Sequence, residues 1–142
     1  MYVLMESGWE YNDEIMFRPE SRGGNPHKVF ASKTKAVKEC NALNISALKK
    51  LFSTGEITEY FYGWNDLLPY NERKTPEFQK RLQKACEKVF GMDFEQVSLH
   101  FDSAGYREAS LKGLSTASDK DWLEFLGCIK LNFWEVVTVE KG

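Results

Sequence analysis

The stretch Lys28-Val29-Phe30-Ala31-Ser32-Lys33-Thr34-Lys35-Ala36-Val37 changes its hydrophobic period part-way along. Lys28 to Ala31 reads as a short strand. Ser32 is a residue of the kind that caps a helix, because its hydroxyl can accept from the orphan amides of the first turn. Behind it Ala36, Val37, Cys40, Leu43, Ala47, Leu48 and Leu51 recur on a 3.6-residue period, with Lys35, Lys38, Lys49 and Lys50 on the far side. The interior Asn44-Ile45-Ser46 is where this helix is expected to bend or break. A strand that passes straight into a capped helix makes the chain a mixed one.

Towards the N-terminus, Tyr2 to Ser7 reads as a strand with apolar residues on both faces, which suits an interior place in a sheet. Glu14 to Arg18 gives a second strand, ended by Pro19, and Arg22-Gly23-Gly24-Asn25-Pro26 is a loop. Tyr2 to Leu43 has the order hairpin, short strand, capped helix. Within it the stretch Val29 to Ala36, a strand ending in a small residue that runs through Ser32 into a Lys-Ala helix, resembles a recurrent piece of small uncharacterised bacterial and phage proteins. That resemblance covers the first third of the chain and implies no activity.

Towards the C-terminus, Ser53-Thr54-Gly55-Glu56 has a capping-box pattern. Ile57, Tyr60, Phe61 and Trp64 follow at helical spacing, although Ile57 to Tyr62 also suits a strand. Thr75-Pro76-Glu77 combines a cap, a first-turn proline and an acid near the positive end of the helix dipole. Phe78, Leu82, Ala85, Cys86, Val89 and Phe90 then form one face, opposite Lys80, Arg81, Lys84 and Lys88, up to Gly91. Phe94 to Phe101 alternates and reads as a strand. Ser118 to Asp121 opens a last helix carrying Trp122, Phe125 and Leu126, and Leu131 to Val139 is a final strand, apolar on both faces and so expected to be central. The whole predicts one α+β domain over residues 1–142: a mainly antiparallel sheet of four to five strands, terminal strands inside, with three to four helices packed on one face.

The 142 residues suffice to bury roughly two-thirds of the unfolded surface without disulfides. A 42% hydrophobic and 28% charged composition excludes a disordered chain. Met1 to Met5 has no basic lead-in and stops at Glu6, unlike a signal peptide. No run reaches the ~20 apolar residues of a membrane helix, so a soluble, cytoplasmic protein is expected. The spacing of Cys40, Cys86 and Cys128 suits neither a disulfide framework nor a zinc site, and all three read as small buried hydrophobes. The net charge of −2 is unevenly spread: residues 28–50 and 71–90 are basic, while 51–70 and 91–142 are acidic.

Catalytic residue types are sparse. His27 follows Pro26, and His100 lies in the alternating stretch; neither has metal-ligand spacing. His100, Asp102 and Ser103 invite a triad reading, but no nucleophile elbow accompanies them and Asp102 to Gly105 reads as a turn. Gly23-Gly24-Asn25 leads into Pro26 rather than a helix N-terminus, so no phosphate loop is expected. No cofactor and no metal are expected. The 14% aromatic content is the least ordinary feature. Trp9 and Tyr11 lie among acids in the first turn, Tyr62 points away from the core if Tyr60, Phe61 and Trp64 face it, and Tyr70 sits beside Pro69. Acid-flanked aromatics of this kind suit protein interfaces.

These features favour a non-catalytic protein-interaction domain of immunity or inhibitor type, with a protein partner engaged through Trp9, Tyr11, Tyr62 and Tyr70. A basic toxin or nuclease would complement the acidic segments. The alternative is a small-molecule-binding protein or enzyme with a pocket near His100, Asp102 and Tyr106. A second alternative is weak nucleic-acid binding through the basic faces of the helices at 33–51 and 76–90. Those faces lack aromatics for base stacking, so nucleic acid is the less favoured partner.

Overall fold

The computed structural model describes residues 1–6, 9–10, 18–19, 25–57, 63–101, 117–129, 131 and 133–140. Contacts within the chain gather into two units, one of Met1–Ala47 with Asn132–Gly142, the other of Leu48–Leu131.

In the first unit β1 (Tyr2–Glu6) lies between two antiparallel neighbours, β4 (Asn25–Phe30) and β5 (Trp134–Thr138). Val3 pairs with Val29 on one side and Val137 on the other. Short stretches β2 (Trp9–Glu10) and β3 (Arg18–Pro19) pair separately, Trp9 opposite Pro19. The β1–β4 register slips after Leu4: Leu4 faces Lys28, and Met5 faces Pro26, so His27 is the extra residue of a bulge. Pro26 has no amide to give a ladder, and an edge strand with a bulge is where it can be accommodated. Leu4 is fully buried.

The fold class is α+β, as expected. The principal sheet has three strands among the described residues, not four to five. The N-terminal strand is central as its two apolar faces predict, but among the described residues β5 is an edge strand, with Val137 exposed on it and Val139 exposed just beyond its end. An apolar residue on the second face of β5 therefore reports surface, not a second covered layer. The expected strand at Glu14 to Arg18 lies outside the described residues except for Arg18.

Helix α1 (Lys33–Thr54) starts where its cap requires: the Lys35 amide donates to Ser32 Oγ at 3.4 Å and the Ala36 amide to the Ser32 carbonyl at 3.1 Å. Ala36, Cys40 and Asn44 are buried at a four-residue spacing. The helix does not break at Asn44-Ile45-Ser46. The Asn44 carboxamide bonds to β5 rather than to its own backbone, which removes the competition that makes asparagine a weak helix former. Ser53 and Thr54 are the last residues of this helix, and after Gly55 and Glu56 the chain is helical again at Ile57, as the sequence leads one to expect. Ser53 and Thr54 hydroxyls donate back to the Lys50 carbonyl at 3.1 and 2.9 Å, and Gly55 adopts a left-handed φ of 77°.

The second unit holds a short 3-10 turn (Trp64–Leu67) and helices α2 (Pro76–Phe90), α3 (Phe94–Phe101) and α4 (Asp119–Leu126). The start and stop of α2 are those read from the sequence. Thr75 Oγ1 accepts from the Phe78 amide at 3.3 Å, and Gly91 closes the helix at φ 69°. Ser118 and Asp121 cap α4 reciprocally, both bonds at 3.2 Å. Phe94–Phe101 is a helix, not the expected strand. Asp93 Oδ1 accepts from the Gln96 amide at 2.8 Å while the Gln96 side chain accepts from the Asp93 amide, a capping box that fixes the helical phase. In that phase Val97 and Phe101 are buried and Leu99 is exposed.

The core of this unit is aromatic. Phe52, Phe90 and Phe125 have ring centroids 5.2–5.6 Å apart, and Trp122 stands edge-on to Phe52, Phe90 and Phe125 at 6.2–6.3 Å. Such tilted pairs place ring edges against ring faces, the arrangement the aromatic quadrupole favours.

Candidate functional site

A groove of about 520 Å³ opens in the second unit between the 3-10 turn, the 68–75 loop, α2 and α3. Its apolar wall comes from Trp64, Leu68, Leu82, Phe94 and Leu99. Trp64, Leu68 and Leu82 are buried, so they form its floor, whereas Leu99 is 72% exposed at the mouth. The Trp64 ring is itself backed by Phe101 and Phe125, at 5.8 and 6.3 Å. The volume lies within the range of roughly 300–1,000 Å³ usual for ligand sites, although six of the eleven lining residues are polar or charged.

The polar rim is built by a tightly turned loop. Amides of Glu72 and Arg73 donate to the Pro69 carbonyl, and the Thr75 amide and hydroxyl to the Glu72 carbonyl. Within this frame the Arg73 guanidinium donates to the Asn65 carbonyl at 3.2 Å and lies 4.8 Å from the centre of the Tyr70 ring. Gln79 Nε2 donates to the Arg73 carbonyl at 3.4 Å, tying the loop to α2. Lys74 completes the cationic side, and Glu95 and Ser98 supply acceptors from α3. The start of α3 is held against α2 by the Phe94 amide, which donates to Gln83 Oε1 at 3.1 Å.

No protein-family model matches the chain, and comparison with curated proteins and with solved structures found no match.

Of the four aromatic residues that the sequence singles out, Tyr70 is 73% exposed and lies beside this groove only through its contact with the lining residue Arg73. Trp9 is in β2, where only its backbone pairing is described, and Tyr11 and Tyr62 lie outside the described residues. His100 is in α3, which lines the groove with Phe94, Glu95, Ser98 and Leu99; its side chain, with Asp102, Ser103 and Tyr106, lies outside the described residues. His27 is exposed, its ring edge-on to Trp134 at 5.0 Å.

Arg73, Gln79, Glu95 and Leu99 escape a reading based on alternation. A strand at 94–101 turns Leu99 inward beside Val97, whereas the helical phase set by Asp93 and Gln96 turns it out. Asp93-Phe94-Glu95-Gln96 is the signal that could have revealed this.

The two basic helix faces are partly neutralised. Lys49 pairs with Asp119 at 3.6 Å and Lys88 with Glu124 at 3.5 Å. All three cysteines are buried free thiols. Burial pushes each thiol above its ordinary value; at Cys86 the nearby Cys128 adds to the effect, and at Cys40 Glu135 does. Thiols held protonated in this way are poor nucleophiles and poor metal ligands. No described helix is long and apolar enough to cross a membrane.

Proposed function

We propose that the chain acts as a single non-catalytic, intracellular binding domain that engages a protein partner through the groove lined by Arg73 and Leu99, with the Tyr70 ring beside it. The observation that supports this most is a groove with a floor of buried Trp64, Leu68 and Leu82 and a strongly exposed Leu99 in its lining, together with the exposed Tyr70 ring held against its lining residue Arg73. Energetic centres of interfaces combine a Tyr, Trp or Arg anchor with a pocket from which water is excluded, and Arg73 against Tyr70 supplies such an anchor already oriented. Acidic segments elsewhere in the chain favour a partner with a basic surface beyond the groove.

The test is capture from a nuclease-treated lysate with wild-type, Tyr70→Ala and Leu99→Asp baits. One stoichiometric protein, kept by the wild type and lost by both variants, is the expected result. Equal capture by all three baits, or no partner at native abundance, contradicts the reading.

A second reading, a small-molecule site, draws on the groove volume and on its position along α3, the helix that carries His100. Ligand-induced change in Trp64 fluorescence without any protein partner would favour it.

A further inference from the structure

We infer that the groove takes a segment of the partner in which a large apolar side chain stands next to a carboxylate, and that Arg73 is the group that reads the carboxylate. This rests on the reading of the groove as a protein contact surface and goes beyond it by naming the chemistry of the occupant.

Arg73 carries the argument. Its guanidinium is half-buried and already oriented, by one donated hydrogen bond to the Asn65 carbonyl and by the face of Tyr70. Its backbone is fixed on both sides, through its own amide to Pro69 and its carbonyl to Gln79. No carboxylate pairs with it among the described residues, in contrast to Lys28, Lys49 and Lys88, each of which has one. An arginine fork with donors left over and little conformational freedom left to lose is suited to binding a carboxylate through two parallel bonds. Lys74 beside it adds a second positive charge.

The floor sets the rest of the ligand. Trp64, Leu68 and Leu82 give the groove buried apolar surface alongside Arg73 and Lys74, and Phe94 and Leu99 add to its apolar lining from α3. An apolar side chain placed there leaves a flanking Asp or Glu at the Arg73 side. Glu95 and Ser98, on the α3 wall, are then acceptors for the backbone amides of the segment, and Glu95 repels a carboxylate placed at that end, which gives the segment a direction.

The experiment uses the full chain and fluorescein-labelled peptides in an anisotropy titration. One peptide repeats Asp-Phe-Glu-Leu, and its neutral counterpart repeats Asn-Phe-Gln-Leu. The acidic peptide is expected to bind at least about tenfold more tightly, with a preference that shrinks as salt is added. Arg73→Gln brings the ratio of the two affinities to about one, and Arg73→Lys restores only part of it because an ammonium lacks the fork. Circular dichroism of both variants checks that the fold is intact. Equal binding of the two peptides, or a preference that survives Arg73→Gln, overturns the inference. If both peptides bind equally and Leu99→Asp abolishes both, the contact-surface reading stands and the carboxylate specificity falls. No binding of the acidic peptide overturns the inference, while the three-bait capture separately decides the underlying reading. Two other occupants are tested alongside: Arg73-dependent binding of sodium octanoate without peptide binding assigns the groove to small amphiphilic carboxylates, and Leu99-dependent dimerisation in sedimentation assigns it to a second copy. Either result overturns the inference.

Discussion

Asn44 and Trp134 are joined by a pair of hydrogen bonds: Asn44 Nδ2 donates to the Trp134 carbonyl at 3.0 Å, and Asn44 Oδ1 accepts from the Trp134 amide at 2.9 Å. The same oxygen accepts from the Phe133 amide at 3.0 Å. Asn44 is buried in the middle of α1, ninety residues away from its partner in the chain. Its carboxamide therefore fixes the entry of β5 against α1 by satisfying backbone groups that the start of the strand would otherwise leave unpaired.

Asn44→Ala should destabilise the protein by about 2 kcal/mol, because it leaves the half-buried amide and carbonyl of Trp134 without their Asn44 partners. Urea unfolding with an unchanged m-value is the check. Asn44→Asp should also be costly, since a carboxylate cannot donate to the Trp134 carbonyl. A loss below about 1 kcal/mol for Asn44→Ala would mean that solvent satisfies these groups in its place.

The phase of α3 makes two neighbouring apolar residues behave oppositely. Val97→Asp places a charge in the core and should cost about 3 kcal/mol or more. Leu99→Asp lies at the surface and should change stability by no more than about 0.5 kcal/mol. Thermal melts of the two variants decide this. Similar losses for both would restore the alternating strand.

Gly91 tests the backbone alone. A Cβ at this position meets nothing within 4 Å, yet φ is 69°. Gly91→Ala should therefore cost roughly 1–2 kcal/mol through left-handed strain without any clash, and Gly91→Asn should cost less. Denaturant midpoints measure it, and an alanine variant as stable as the wild type would contradict the cap geometry.

The thiols predict an alkaline limb to stability. Each of Cys40, Cys86 and Cys128 is raised above its ordinary value of 9.0 by burial. Above pH 9 the unfolded chain therefore releases thiol protons that the folded chain retains. The stabilisation is complete below pH 9 and falls as pH rises, with a slope of up to about 1.4 kcal/mol per pH unit for each thiol. Urea midpoints from pH 8 to 10.5 should fall more steeply for the wild type than for the Cys40→Ala, Cys86→Ala, Cys128→Ala triple variant. Parallel curves would show that the thiols do not titrate differently on folding.

Local chemistry made much of this architecture readable from the chain. Ser32, Thr75-Pro76, Gly91 and Ser118 announce helix ends because capping is decided within four residues, and the structure keeps every one of them. The centrality of β1 follows from its two apolar faces. What could not be read depends on partners distant in sequence. Asn44 looks like a helix weak point until Trp134 is beside it, and β5 looks central until its outer residues are seen to be exposed. Val97, Leu99 and Phe101 fit an alternating and a helical pattern nearly equally over eight residues, and only the Asp93–Gln96 cap separates the two. Tyr70 was legible as an exposed aromatic beside a proline. Arg73 was not, because its significance lies in a ring stack and a carbonyl contact rather than in any spacing.

Whether the groove that Leu99 lines is the contact surface is decided by titrating the captured partner into wild-type and Leu99→Asp protein by calorimetry. Binding is expected to be at least about a hundredfold weaker for the variant, at unchanged melting temperature. An identical constant for the two proteins would contradict it.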